Sequence, residues 1–319
     1  MTARGPGKDS LEVPATAAAR RADLFVSEAL GLSRARVKRL FEGGAVRVDG
    51  RPARKGDLLR PGQRVEVAGE ALAHAEGEAL VPEPSAPLSV LYEDEALVFA
   101  DKPSGSPSHP LEPGEVGTVA NALVARYPEC AAAGEDPREG GLCHRLDVQT
   151  SGVLLAARTH AAWEAMRAAF SGEGGDASAA DKRYWAVVTG PLSDEGEIDL
   201  PLRHHRDRVE PAVDGEDARP ARSDFRVHGR AGDAALVEVR IHTGVLHQVR
   251  AHLAAIGAPV LGDALYGGKP LAGLPRLFLH ARSLEVTHPL TGKRLRVVSP
   301  LPEELRQALD RLGLHAPPG

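Results

Sequence analysis

Cysteine is nearly absent: only Cys130 and Cys143 occur, so no disulfide framework is available and a reducing compartment is the expected setting. No apolar run approaches the length that crosses a bilayer, and Met1 to Ala19 lacks the apolar core of an export signal. The chain is therefore expected in the cytoplasm, without a membrane partner. Metal signatures are missing too. The thirteen histidines form no His-Glu-x-x-His run and there is no Cys-x-x-Cys, so neither a metal nor metal chemistry is expected. The glycines between Ser171 and Asp181 lack the Lys-Ser/Thr ending of a phosphate loop and read as a flexible surface insertion. Asp147 has no second carboxylate close in sequence, so a paired-carboxylate glycosidase arrangement is not evident.

What is present begins with size. A chain of 319 residues exceeds what one hydrophobic core usually supports, so two domains are expected. Charge divides them unequally. Residues 20–68 hold twelve Lys/Arg against six Asp/Glu, a balance of +6, so with a net charge of -5 the remainder sums to -11. A basic module on an acidic body suggests a dedicated polyanion-binding domain.

Residues 1–19 are polar and without period, which predicts a disordered arm. Leu24, Phe25, Ala29 and Leu30 recur at helical spacing up to Gly31, and Ser33 is placed to cap a second helix with Val37 and Leu40 facing inward. That leaves Arg34, Lys38 and Arg39 outward. Val46 and Val48 alternate with Arg47, Asp49-Gly50 signals a hairpin turn before Arg51, and Arg64 to Val67 makes another strand. Basic groups on one helix face and the adjoining strand can straddle phosphates with little sequence reading. An ordinary solvated charged face is the alternative. Residues 69–87 turn to Ala, Glu and Pro, as a linker does.

The second domain, 88–319, opens with strands at Leu88 to Tyr92 and Leu97 to Ala100, followed by a helix over Val116 to Tyr127. Val153 to Ala157 has the length and apolarity of a buried strand, so His144, Arg145, Asp147, Thr150 and Ser151 sit on the loop feeding it. Cys143 beside His144 is no thiol-nucleophile pair, because adjacent residues on an extended chain point to opposite sides. Trp163, Met166 and Phe170 form a core-facing helical stripe, and Tyr184 to Val188 a strand. Residues 203–222 are rich in Arg, His and Asp, which fits either RNA contact or a solvated surface. Val237, Val239 and Ile241 mark a half-buried strand leading through Thr243-Gly244 into a helix from about Leu246. That helix is expected to bury Leu246, Val249, Leu253 and Ile256 and to leave His247 and Arg250 on its other side.

Two resemblances follow. Leu-Ser-Arg-Ala-Arg-Val-Lys-Arg-Leu40 ahead of Val46-Arg-Val-Asp-Gly-Arg51 resembles the αL-motif RNA-binding domain of ribosomal proteins and RNA-modifying enzymes. His144-Arg-Leu-Asp147 with Thr150-Ser-Gly152 is similar to the signature of the RluA-type pseudouridine synthases. Lys182-Arg-Tyr184-Trp-Ala186 looks like that family's tyrosine motif. Thr243-Gly244, His247-Gln-Val-Arg250-Ala-His252, Gly262-Asp263 and Tyr266-Gly267 look like its arginine motif, and Asp101-Lys-Pro-Ser-Gly105 also fits. The likeness spans essentially all of 88–305.

The second resemblance implies an α+β fold: the αL-motif domain, then a catalytic domain with a central mixed, largely antiparallel sheet flanked by helices and a cleft. It implies isomerisation of uridine to pseudouridine within RNA, by a cofactor-free monomer. Ribosomal RNA of the large subunit is the favoured substrate and transfer RNA the other. Asp147 is the implied essential carboxylate, whether it attacks sugar or base or removes a sugar proton. Arg250 is implied to pair with it, and Tyr184 to pack on the uracil and to be the candidate base for the carbon 5 proton. Arg145 is expected as wedge or phosphate anchor beside a flipped nucleotide, with RNA contacts also from His144, His247, Gln248, Arg34, Lys38, Arg39, Arg47 and Arg51. Val245-Leu246 replace the family's usual Arg-Thr, and Val148-Gln149 its usual charged pair, which puts substrate preference in doubt. A non-catalytic RNA-binding protein on the same fold is the competing reading.

Overall fold

The computed structural model describes residues 8–14, 20–30, 32, 34–69, 71, 80–171, 180–205, 208–212 and 218–317. Two compact units emerge, one drawn from Met1–Ala86, His109–Leu142 and Arg158–His160, the other from Pro87–Ser108, Cys143–Ala157 and Ala161–Gly319. The single cut expected at 69–87 is thus too simple, because residues 109–142 group with the N-terminal ones.

In the first unit, β1 (Lys8–Glu12), α1 (Ala22–Leu30), α2 (Arg34–Glu42), β2 (Val46–Val48), β3 (Arg51–Pro52) and β4 (Arg64–Ala68) give an antiparallel sheet of order β1-β4-β2-β3. Both central residues of the β2–β3 turn, Asp49 (φ 48) and Gly50 (φ 76), are left-handed, the geometry that Asp-Gly favours in a two-residue hairpin. Val37 and Leu40 of α2 are buried with Phe25, Val26, Val46 and Val65 in one core. Ser33 and Gly31 lie outside the described residues. β1 corrects the expectation of a wholly disordered arm: Leu11 pairs with Val65 and Val13 enters the core. Two apolar residues in alternation are too short a signal to stand out, and the pairing partner is distant in sequence.

The helix expected over 116–127 is α3 (Val119–Arg126). It starts late because Gly117 (φ 84) breaks the chain and Thr118 caps it, Thr118 Oγ1 accepting from Asn121 N–H and Asn121 Oδ1 from Thr118 N–H. Asn121 Nδ2 also donates to Val81 O at 2.8 Å, and Glu83 N–H donates to Asn121 O. Residues 80–86 are therefore tied to α3, and free linker does not extend to Pro87.

The second unit contains β5 (Ser89–Glu93), β6 (Leu97–Lys102), β7 (Ser151–Ala157), most of α4 (His160–Ser171), β8 (Asp181–Thr189), β9 (Glu195–Asp199), β10 (Leu202–His205), β11 (Arg208–Pro211), β12 (Arg222–Ala231), β13 (Ala234–Ile241), α5 (Gln248–Ala255), β14 (Leu279–Thr287), β15 (Arg294–Val298) and α6 (Glu303–Leu312). Among the described residues nine strands form one sheet of order β5-β6-β7-β14-β8-β13-β12-β9, with β15 on β14. Only the short β7–β14 pairing is parallel among the described residues, so the sheet is mixed and largely antiparallel, as expected. Leu279–Thr287 is one long strand whose hairpin partner is β15.

Helices cover the sheet where its apolar residues demand it. Trp163 and Met166 of α4 are buried with Phe99, Val153, Leu155 and Leu284, each burial contributing roughly 1.5–3 kcal/mol. Leu305, Ala308 and Leu309 of α6 close over Trp185, Val187 and Leu236. A separate cluster holds the β10–β11 hairpin, with Leu202 and Val209 against Ala251, Val245, Leu246 and Tyr266. The unusual Val245-Leu246 pair is absorbed there as packing. The insertion residues 172–179 lie outside the described residues.

Candidate active site

Asp147 stands at the head of a tight turn that enters β7, closed by Thr150 N–H donating to Asp147 C=O at 3.0 Å. The turn's carbonyls are all engaged. Val148 O accepts from Lys102 Nζ at 3.0 Å and from Gly105 N–H at 2.8 Å; Gln149 O accepts from Ser104 Oγ and Arg276 Nη1, each at 2.9 Å. Because backbone oxygens carry these contacts, the Val148-Gln149 side chains do not hold the turn through charge. Gly152 (φ 118) is required where the turn becomes strand, since a Cβ there would lie 2.2 Å from Ala281 O.

Lys102 is fully buried and also donates to Pro103 O and Ser106 O. Burial pushes its ammonium down to about 7, opposed by Asp147 and reinforced by Arg276. Three carbonyl acceptors use three N–H donors, which only the charged form supplies. We therefore treat Lys102 as a cation beneath the turn.

Arg250, on α5, brings the distant segments together. Its Nη1 donates to Asp147 Oδ2 at 3.1 Å, while Nε and Nη2 donate to Asp263 Oδ2 and Oδ1 at 2.6 and 2.8 Å. Burial works against the guanidinium's charge, but Asp263 and then Asp147 outweigh it and raise its pKa. Its guanidinium also lies 5.0 Å from the Tyr266 ring centroid. The expected Asp147–Arg250 pair is present, with a second carboxylate bound more fully.

Tyr184 is buried on β8, and burial followed by the charge of Asp147 pushes its phenol up, so the hydroxyl stays protonated at neutral pH. It offers a ring face and a hydroxyl but not a phenolate. On the opposite face of β8, a polar recess lined by Asp181, Arg183, Glu238 and Arg282 is a cross-strand ion-pair cluster apart from this site.

His247 immediately precedes α5 with φ 52 and ψ 18, a left-handed conformation uncommon for a non-glycine residue. Its Nε2 lies 3.7 Å from Asp147 Oδ2 and its Nδ1 3.2 Å from Tyr266 Oη. Tyr266 Oη in turn donates to Val209 O and accepts from Val209 N–H, both at 3.0 Å.

A sequence profile described as RNA pseudouridylate synthase matches residues 96–255, and one described as S4 domain matches residues 20–65. The ribosomal large subunit pseudouridine synthase D of Xanthomonas campestris is 38% identical over 317 residues, covering 94% of this chain and 91% of that one. This chain belongs to the RluA-type pseudouridine synthase family. It is an RNA pseudouridine synthase, an isomerase, with an N-terminal S4 domain as its RNA-binding module. An RNA pseudouridine synthase of Chloroflexus aurantiacus is 41% identical, covering 95% of this chain and 94% of its own. Among solved structures, human RNA Pseudouridylate Synthase Domain Containing 4 is similar at 26% identity with a TM-score of 0.55, covering 72% of this chain and 95% of its own.

Within this synthase, the residues expected at the RNA divide. Arg145 is exposed two residues before Asp147, as a wedge or anchor requires. Lys38, Arg39, Arg47 and Arg51 of the S4 domain are exposed, whereas the Arg34 side chain lies outside the described residues. Two expectations are corrected. His144 stacks on Phe170 with ring centroids 4.6 Å apart, and its Nε2 accepts from Leu155 N–H. Burial, then Lys182 and Arg167, push it down to about 3, so it is a neutral structural ring rather than a phosphate contact. Gln248 is buried, with Oε1 accepting from Thr243 Oγ1 and Val245 N–H and Nε2 donating to Arg222 O and Ser223 Oγ, which leaves nothing to offer RNA. The helix boundary shifts too: α5 begins at Gln248, Leu246 and Ile256 are half-buried, and Arg250 is buried against Asp147 and Asp263.

Asp263 and Tyr266 stand in the arginine-motif resemblance without a role assigned to either, and Arg276 carries no signal in the sequence. Among the described residues no group of three or more His, Cys, Asp or Glu is arranged to hold a metal, and no helix is long and apolar enough to cross a membrane.

Proposed function

We propose that this synthase converts a uridine of large-subunit ribosomal RNA to pseudouridine, with Asp147 as the essential carboxylate. The observation that carries the reading is the buried Arg250 joining Asp147 to Asp263, a charged constellation whose desolvation is costly unless it is complete. For the target, support comes from relatives of nearly full-length coverage bearing the name ribosomal large subunit pseudouridine synthase D, in Xanthomonas campestris and, at 34% identity, in Pseudomonas aeruginosa.

The isomerisation breaks the bond from sugar C1′ to uracil N1 and forms one from C1′ to C5, so atoms and electrons balance without a cofactor. Arg250 keeps its two bonds to Asp263 while Asp147, held by one, is free to act on sugar or base. The Tyr184 ring packs on the uracil. A paired uridine is flipped out first, and Arg145 fills its place or grips the adjoining phosphate. The S4 domain adds affinity by engaging phosphates. The enzyme works as a monomer in the cytoplasm.

The test is to map pseudouridine in ribosomal and transfer RNA from a strain lacking the gene, complemented by wild type or Asp147→Ala. Loss of one ribosomal position, restored only by wild type, is the expected result. Loss confined to transfer RNA moves the target, and no loss anywhere favours a non-catalytic RNA-binding protein.

A further inference from the structure

The re-attached uracil must lose a proton, and the site needs a group to take it. After C1′ joins C5, that carbon is tetrahedral and still carries its hydrogen, with a double bond between C6 and N1. Removing the C5 proton returns the C–H pair to a C5–C6 double bond, and the C6–N1 pair moves to N1, which takes a proton from water. The acceptor must hold a free lone pair in the resting enzyme, and it must lie near the atoms Asp147 touches. Tyr184, the candidate from sequence, keeps its proton in its buried setting.

We propose that His247 is the base that receives the C5 proton. Hydrogen-bond accounting fixes its tautomer: the one Tyr266 hydroxyl proton goes to Val209 O at 3.0 Å, so the 3.2 Å contact with His247 Nδ1 must have the imidazole as donor. The unprotonated nitrogen of the neutral ring is then Nε2, the one 3.7 Å from Asp147 Oδ2. That separation is too long for a hydrogen bond, and it sets Nε2 beside Oδ2, where a reacting atom held against that oxygen also meets Nε2. A proton arriving on Nε2 faces the carboxylate at once. The left-handed backbone at φ 52 costs free energy, as is common where a side chain is aimed for function.

The groups facing His247 are Asp147 and Asp263, which favour its charged form, and Arg250 and Arg145, which oppose it, with neutral Tyr266 at its Nδ1. Burial is the largest influence and holds the imidazole below its ordinary value. The resting ring is thus neutral and ready to accept.

This inference rests on Asp147 being the essential carboxylate, so the experiment carries a separate arm for it. The decisive variant is His247→Asn, because asparagine tolerates the left-handed backbone but takes no proton. Single-turnover rates are compared on RNA carrying uridine or 5-deuterouridine at the target. His247→Asn should be slower by about 10²-fold or more, with little change in KM and a normal primary isotope effect larger than that of wild type. The wild-type rate should fall as pH drops through a single ionisation below the ordinary histidine range, and the variant should lack that limb. A slow variant without an increased isotope effect, or one as fast as wild type, overturns the proposal. Should asparagine compromise folding, His247→Gly accepts the same φ and is read by the same isotope measurement. Full activity of Asp147→Ala would instead remove the underlying reading.

Discussion

Arg250 reaches Asp147 through Nη1 alone, at 3.1 Å, while Asp263 holds both its Nε and its Nη2 at 2.6 and 2.8 Å. The arginine belongs to Asp263 first and to Asp147, the proposed essential carboxylate, second. Asp147 can change partners during the reaction without stranding a buried cation.

Removing Asp263 should therefore damage both folding and turnover. Asp263→Ala leaves a buried guanidinium with a single hydrogen-bonded carboxylate, and breaking a buried pair this way costs about 3–5 kcal/mol. Urea unfolding checks the stability. Activity should also fall, because Arg250 is then free to bind Asp147 with both of its donor edges.

Gly152→Ala should be among the most damaging small substitutions. Its Cβ would lie 2.2 Å from Ala281 O at φ 118, where the β7–β14 backbones approach most closely. Relieving that clash displaces the strand that carries Asp147. A loss on the order of 3 kcal/mol or more, or failure to fold, is expected in thermal unfolding.

Two neutral imidazoles, half-buried His144 and fully buried His280, make the protein acid-sensitive. Burial pushes His144 down to about 3 and His280 down to about 4. Unfolded, each binds a proton below about pH 6.5, while the native state does not until far lower pH. The unfolded state thus binds more protons, and stability falls as pH falls between about 6.5 and 4, by about 1.4 kcal/mol per pH unit for each histidine. Urea midpoints at about pH 7 and about pH 5 read this out, and replacing His280 with Asn should flatten the dependence.

Charge reversal at Lys38 and Arg39 should raise KM without lowering kcat, because the S4 domain supplies affinity and not chemistry. The slope of log affinity against log salt should shrink by about 0.7–0.9 for each phosphate no longer neutralised. An unchanged salt slope would mean that this helix face is merely solvated.

How much of this was legible in sequence depended on whether the signal was local. Val153 to Ala157 reads as a strand because its residues are apolar throughout, and Asp49-Gly50 as a hairpin turn because few residues accept two left-handed positions. The Asp147–Arg250 pair spans 103 residues, and only the family likeness linked its ends. Asp263 stood within the motif resemblance, but nothing local marked it as the carboxylate that holds Arg250. Helical periodicity mistakes α5 for an amphipathic helix: Gln248, Arg250 and His252 are all buried, satisfied by partners from distant segments. Sequence places His247 with RNA for the same reason, since a polar residue beside a helix start does not announce that it points at a carboxylate.

The most direct measurement is tritium release from large-subunit ribosomal RNA labelled at uridine C5, incubated with wild type and with Asp147→Ala at matched RNA binding. Wild type should release tritium in proportion to pseudouridine formed at a discrete position, and Asp147→Ala should bind equally and be slower by on the order of 10⁴-fold or more. Release by the variant at the wild-type rate, or none by wild type on any RNA, would contradict the account.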